Sequence, residues 1–288
     1  MSGSGLRVAV LGLGTMGAAM ARRIVGAGIA TTVWNRSAPR AEALAGSGVV
    51  IAPDAATAVA EADLILTMLF DADATRAVAA EAFGNARSGA VWMQSATIGV
   101  EAAREFAALA AGRGLRFVDA PVLGTKGPAE AGKLTPLVAG SDDAVAVAEP
   151  VLAAIGERWV RTGEAAPAGS ALKVAVNTWI AALTAGIAQS LTLAERLGLD
   201  PRLVLEALAG TASDSPYAHI KGEAMLARDF APQFEAGGLL KDLRLARAAT
   251  SEMNLTLLSA LEELFAAASD PPGQDIAAVW SSFQTPAS

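Results

Sequence analysis

Along the first half of the chain, short runs of aliphatic and β-branched residues alternate with stretches whose apolar positions recur at helical spacing. The runs at 7–11, 31–34, 49–51, 63–69, 90–93, 115–118, 134–138 and 158–161 read as strands. Between them, 16–27, 38–45, a short segment capped by Asp54, 71–82, 100–113 and 142–155 read as helices. Alternation of this kind predicts βαβ units and a mostly parallel, doubly wound sheet covered on both faces. The pattern changes after Pro167, beyond which no convincing strand is found. The segment 168–197 predicts a single helix of about 45 Å, at 1.5 Å per residue. Further helices are expected at 201–209, 220–227, 238–252 and 256–268. The expected organisation is an α/β domain over 1–165 followed by an all-α domain over 166–288.

Composition narrows the chemistry. More than half of the 288 residues are apolar, enough for a large core. With no Cys and one His, thiolate nucleophiles, disulfide frameworks and multi-histidine mechanisms are excluded. A net charge of −7 without any Lys/Arg run argues against a nucleic-acid partner. No carboxylate/His cluster has ligand spacing, so no metal is expected. Residues 1–5 lack a basic segment leading into an apolar core. The most apolar window, 174–188, is preceded by Lys173 and contains Asn177, Thr178 and Thr184. It therefore predicts a buried helix rather than a membrane span, and a cytoplasmic location. The long helix is rich in small residues, including Ala185 and Gly186, and such a surface calls for burial. A homodimer or homotetramer through the helical domain is expected.

The first candidate chemistry is Gly12-Leu13-Gly14-Thr15-Met16-Gly17, which directly follows a predicted strand and opens a predicted helix. In that context a GxGxxG segment predicts a Rossmann-type dinucleotide site. Gly12 permits the turn, Gly14 lets a pyrophosphate approach the backbone, and Gly17 lets helix and strand pack closely. At the end of the second strand, where an NAD site places an acidic residue, stand Asn35, Arg36 and Ser37. Arg36 suits a 2′-phosphate, with neutral hydrogen bonds from Asn35 and Ser37, so NADP(H) is the expected cofactor. Met68 and Leu69 end another strand and can pack on it. For Met68 and Phe70, core packing is the stronger reading.

These segments, with three more, resemble the β-hydroxyacid dehydrogenase family, which includes 3-hydroxyisobutyrate dehydrogenases and glyoxylate/succinic semialdehyde reductases. Asp119 to Thr125 resembles the family's substrate-binding segment, Gly169 to Asn177 its catalytic segment, and Lys241-Asp242-Leu243 its cofactor-side segment. The stretch 126–130 is most similar to the semialdehyde reductase branch. The resemblance implies that Lys173 and Asn177 act on the substrate, that Leu123, Gly124 and Thr125 line it, and that Thr97 and Lys241 approach the cofactor. It also implies a site in the cleft between the domains.

Lys173 and Asn177 are four apart and so share one helical face. An ammonium there can donate a proton to, or stabilise, a developing alkoxide. Leu123 stands where the family commonly has Ser, removing one donor to a substrate carboxylate. Thr125 and Lys126 restore polarity nearby. Two substrate classes therefore stay open: a small carbonyl compound paired with its hydroxy acid, or an imine, as in related imine reductases. Trp179, Phe230 and Phe234 keep the imine reading in play. A third alternative is a non-catalytic NADP(H) sensor. His219 has no visible carboxylate partner and reads as structural; Tyr217 has no assigned role.

Overall fold

A computed structural model describes residues 5–250 and 252–284, and the reading of residues 1–5 lies almost wholly outside them. The chain divides into two compact units, Met1–Lys173 and Val174–Ser288. The division falls inside the long helix, beyond the boundary expected near residue 165.

The first unit is built on a nine-stranded sheet in the order β3-β2-β1-β4-β5-β6-β8-β7, with β9 pairing β8. Its strands are β1 (Arg7–Leu11), β2 (Ala30–Trp34), β3 (Val50–Ile51), β4 (Leu64–Thr67), β5 (Val91–Gln94), β6 (Arg116–Asp119), β7 (Val122–Leu123), β8 (Thr135–Ala139) and β9 (Val160–Gly163). β1 to β6 pair in parallel; β8 runs antiparallel to β6 and to β7. Every residue of β4 and β5 is buried, as expected of central parallel strands covered on both faces. One face packs on helices α1 (Thr15–Gly26) and α7 (Asp142–Ile155), around Met20, Ile24 and Leu152. On the other, Phe83, Phe106 and Phe117 stack around the fully buried Trp92 at centroid distances of 4.7, 5.3 and 5.1 Å. Helices α2 (Ala38–Glu42), α3 (Ala55–Val59), α4 (Ala72–Ala82), α5 (Val100–Gly112) and the short α6 (Lys126–Ala131) complete the connections.

The two-residue strand β7 and the helix α6 escaped the sequence pattern. β7 is too short to show a period. α6 starts Lys-Gly-Pro, which reads as a loop although Pro is tolerated in a first helical turn.

The long helix α8 runs Ala168–Arg196. By length and apolar composition it could cross a bilayer. Ala181, Ala185, Ala188 and Leu191, however, are buried in the core of the second unit with Leu239, Leu243 and Phe265. That core is closed by α9 (Arg202–Leu208), α10 (Pro216–Ala227), α11 (Ala236–Ala249), α12 (Thr256–Ala268) and a 3₁₀ turn, Ile276–Trp280. α10 begins at Pro216 rather than near 220, because Pro fits the first helical position.

Candidate active site

The order of strands reverses between β1 and β4, and a parallel sheet leaves a crevice beyond the strand ends at such a point. A groove of about 660 Å³ lies there, lined by Gly12, Gly14, Asn35, Arg36, Ser37, Met68, Leu69 and others. Seven of the expected cofactor residues are thus brought to one surface. A further hollow of about 470 Å³ sits at the other end of the strands. Its guanidiniums are occupied: Arg87 by Asp63, and Arg116 by the Gly89 carbonyl.

The turn has the shape a pyrophosphate requires. Gly12 has φ +99°, and a Cβ there would meet the Met68 carbonyl oxygen at 2.4 Å. A Cβ at Gly17 would stand 1.9 Å from the Gly12 carbonyl oxygen. Around Gly14, by contrast, the nearest atom to an added Cβ is Arg40 Nη1 at 3.9 Å, so this face of the turn is open. α1 then presents its first turn with no side-chain cap and no acidic residue. Its uncapped N–H groups and helix dipole suit an anion. A dinucleotide therefore fits the residues present.

Asn35 does something the sequence did not reveal. Its Oδ1 accepts the Leu13 N–H at 2.8 Å, and its Nδ2 donates to the Ser37 carbonyl at 3.1 Å. It holds the turn and the β2 loop in register. Positive charge on this side of the groove comes instead from Arg36 and Arg40, both exposed and both lining it. Arg40 was not singled out from sequence; its spacing of four from Arg36 was the available signal. Asp54 also lines the groove, its carboxylate capping α3 through the Thr57 N–H at 2.7 Å.

The other expected residues lie outside this groove's lining. Thr97 follows β5, half-buried. Leu123 ends β7, and Gly124 has φ +118° with a Cβ position 2.7 Å from Leu134 Cδ2, so only glycine is comfortable there. Thr125 precedes α6 without capping it by side chain.

Lys173 is 7% exposed and lies one turn from Asn177, which is fully buried, on α8. Within the helical unit, Asn177 Nδ2 donates to Asp242 Oδ2 at 2.5 Å. That contact turns the amide so that its Oδ1 faces elsewhere, buried and without a hydrogen-bond partner. Lys241 Nζ lies 2.8 Å from Asp242 Oδ1, an ion pair by distance but off the axis of a hydrogen bond.

Three more groups emerge only in three dimensions. His219 does have a carboxylate partner: its Nε2 lies 2.8 Å from Asp214 Oδ1. Tyr217 is held in its neutral form, its hydroxyl pushed up by burial and by the nearby Asp275 carboxylate. Asp119, at the end of β6, is fully buried and accepts both the N–H and the hydroxyl of Ser170, at 2.8 and 2.7 Å. Among the described residues, no group of three His, Asp or Glu side chains could hold a metal ion.

Comparison with known proteins places the two halves separately. Residues 7–163 match the family described as the NAD binding domain of 6-phosphogluconate dehydrogenase. Residues 167–281 match that described as "NAD-binding of NADP-dependent 3-hydroxyisobutyrate dehydrogenase". Glyoxylate/succinic semialdehyde reductase 2 of Arabidopsis thaliana is 31% identical over 83% of this chain and 67% of its own. The structure of Mycobacterium tuberculosis 3-hydroxyisobutyrate dehydrogenase with L-serine superposes with a TM-score of 0.90 at 32% identity, covering 98% of this chain and all of that one. A reductive aminase from Aspergillus terreus, solved with NADPH and ethyl-5-oxohexanoate, gives 0.64 at 25% identity over 97% of this chain and all of that one.

Asp119 yields a prediction about pH. Burial pushes its carboxyl up, and the bonds from Ser170 and Gly169 only partly offset that. A carboxyl with a raised folded-state pKa favours folding most below its unfolded value, about 4, and that preference is lost as pH rises. Asp119→Asn cannot ionise, so its stability relative to wild type should rise between pH 4 and 7 in urea denaturation. A difference constant across that range contradicts this account.

Proposed function

Because the chain belongs to the β-hydroxyacid dehydrogenase family of NAD(P)-dependent oxidoreductases, we propose that it interconverts a small aldehyde, semialdehyde or 2-oxo acid and the corresponding hydroxy acid, using NADP(H). Its standing as an oxidoreductase sets aside the non-catalytic sensor. The observation that carries the reading is Lys173, a nearly buried ammonium on the helical face it shares with Asn177.

When bound, the nicotinamide supplies or accepts the hydride at carbon. The chain must then manage the proton at oxygen. Lys173 has the charge to stabilise an oxygen that becomes negative and the proton to neutralise it. Asn177, with its nitrogen committed to Asp242, offers its carbonyl oxygen as an acceptor for a hydroxyl or N–H of the substrate. Leu123, Gly124 and Thr125 supply the rest of the substrate's surroundings, with Thr97 and Lys241 on the cofactor side.

The imine reading draws support from two features. Leu123 offers no hydroxyl to a carboxylate, and the Aspergillus terreus enzyme shares the architecture. Lys173 favours the carbonyl reading, since an ammonium is suited to an alkoxide and repels an iminium.

NADPH oxidation should be followed with glyoxylate, succinic semialdehyde and 2-methyl-1-pyrroline. Turnover of an aldehyde or oxo acid is expected; turnover of the cyclic imine alone overturns the carbonyl assignment.

The choice of NADP(H) rests on Arg36 and Arg40, which can pair with a 2′-phosphate, and on the lack of an acid at the end of β2. Replacing both with Ala should raise KM for NADPH by about ten- to a hundredfold while NADH is nearly unaffected. Equal losses with the two cofactors contradict the assignment.

We also assign the chain to the cytoplasm and to a homodimer or homotetramer formed through the helical unit. There α8 and the segment after it expose Trp179, Leu193, Leu197, Leu199 and Leu203. Light scattering at micromolar concentration should give a multiple of 29.0 kDa, and Trp179→Glu with Leu193→Glu should lower it. A wild-type monomer rules the association out.

A further inference from the structure

We infer that Asp119 is a positioning residue for Lys173: by gripping the first turn of α8, it fixes where along and around the helix axis the lysine is presented. The inference rests on the reading of Lys173 as proton donor.

Asp119 cannot easily move. It is paired in the sheet with Gln94 of β5 on one side and Ala139 of β8 on the other. Its carboxylate takes two groups of one residue, the N–H and the hydroxyl of Ser170, and both residues are buried. The neighbouring Gly169 approaches the same strands closely. A Cβ there would lie 2.5 Å from the Leu137 carbonyl oxygen and 2.7 Å from that of Asp119. The helix start is thus seated directly on strand backbone.

An ordinary N-cap comes from the residue just before a helix and moves with it. Here the cap comes from a strand 51 residues away, so it ties the helix to the sheet instead of merely finishing it. Ser170 and Lys173 are three apart, so their Cβ atoms are about 5–6 Å from each other on one face. A rotation or slip allowed at Ser170 is therefore carried to Lys173. Stability alone does not call for this group. A buried carboxylate without a cation is costly, yet only a carboxylate offers an accepting oxygen to each of the two Ser170 donors; in an amide a donor replaces one of those oxygens and the two-point grip is lost.

The test compares Asp119→Asn, Ser170→Ala and Lys173→Ala with wild type, as full chains. The assay uses NADPH and succinic semialdehyde, or whichever compound of the panel above turns over fastest. Asp119→Asn should fold and lose about ten- to a hundredfold in kcat, the scale of a displacement near 1 Å. KM for NADPH should stay unchanged, because the Gly12–Gly17 turn is untouched. Ser170→Ala keeps the N–H bond and should lose about three- to tenfold in kcat. It decides the matter if Asp119→Asn does not fold. The inference is overturned by kcat within twofold of wild type in the folded variants, or by a kcat loss matched by an equal rise in KM for NADPH. Lys173→Ala separates the two levels. If it retains turnover, the proton-donor reading fails; if it is inactive while the other two match wild type, only the seating role fails.

Discussion

The carbonyl oxygen of Gly12 stands 1.9 Å from where any side chain at position 17 would begin. That single close approach sets the β1–α1 junction. It lets α1 start immediately beyond the strand, with its first-turn N–H groups at the point where the strand order reverses. The rest of the groove is built outward from this contact. Met68 backs Gly12 through its carbonyl, and Asn35 clamps the Leu13 N–H. The loop after β2 is thereby held in place for its arginines. A side chain at either glycine would force backbone apart.

Much of this was legible in the sequence because it is local. The alternation of short apolar runs with helical periods gave the parallel sheet, and the glycine spacing gave the turn, since both depend on neighbours along the chain. What escaped depends on contacts across the fold. The role of Asn35 follows from a partner 22 residues away, and that of Asp119 from one 51 residues away; no periodicity encodes either. His219 is a different case. Its partner Asp214 is close in sequence, but the pairing is set by a turn in which Asp214 also accepts the Gly210 N–H, and turn geometry is poorly marked by residue type.

The helical unit contributes chemistry of another kind. Asp242 takes the Asn177 amide nitrogen and lies against the half-buried Lys241, so an amide, a carboxylate and an ammonium form one cluster. In it Asn177 Oδ1 and Asp242 Oδ1 have no hydrogen-bond partner; the Asp242 oxygen has the Lys241 ammonium beside it, which leaves the Asn177 oxygen as the acceptor without a nearby cation of that cluster. Beside it on α8, Lys173 is kept from solvent. A dehydrogenase solved with L-serine and a glyoxylate/succinic semialdehyde reductase are both similar to this chain. In the proposed assignment Leu123, Gly124 and Thr125 face the substrate, so discrimination would fall to them, Leu123 above all.

The account turns on Lys173 acting in the chemical step and not in holding cofactor. Its most direct test is the turnover of Lys173→Ala alongside its NADPH dissociation constant from fluorescence titration. We predict kcat reduced by about a thousandfold or more, as for loss of a general acid that also stabilises charge, with NADPH binding within threefold of wild type. Near-normal turnover, or a loss explained by weakened NADPH binding, contradicts it.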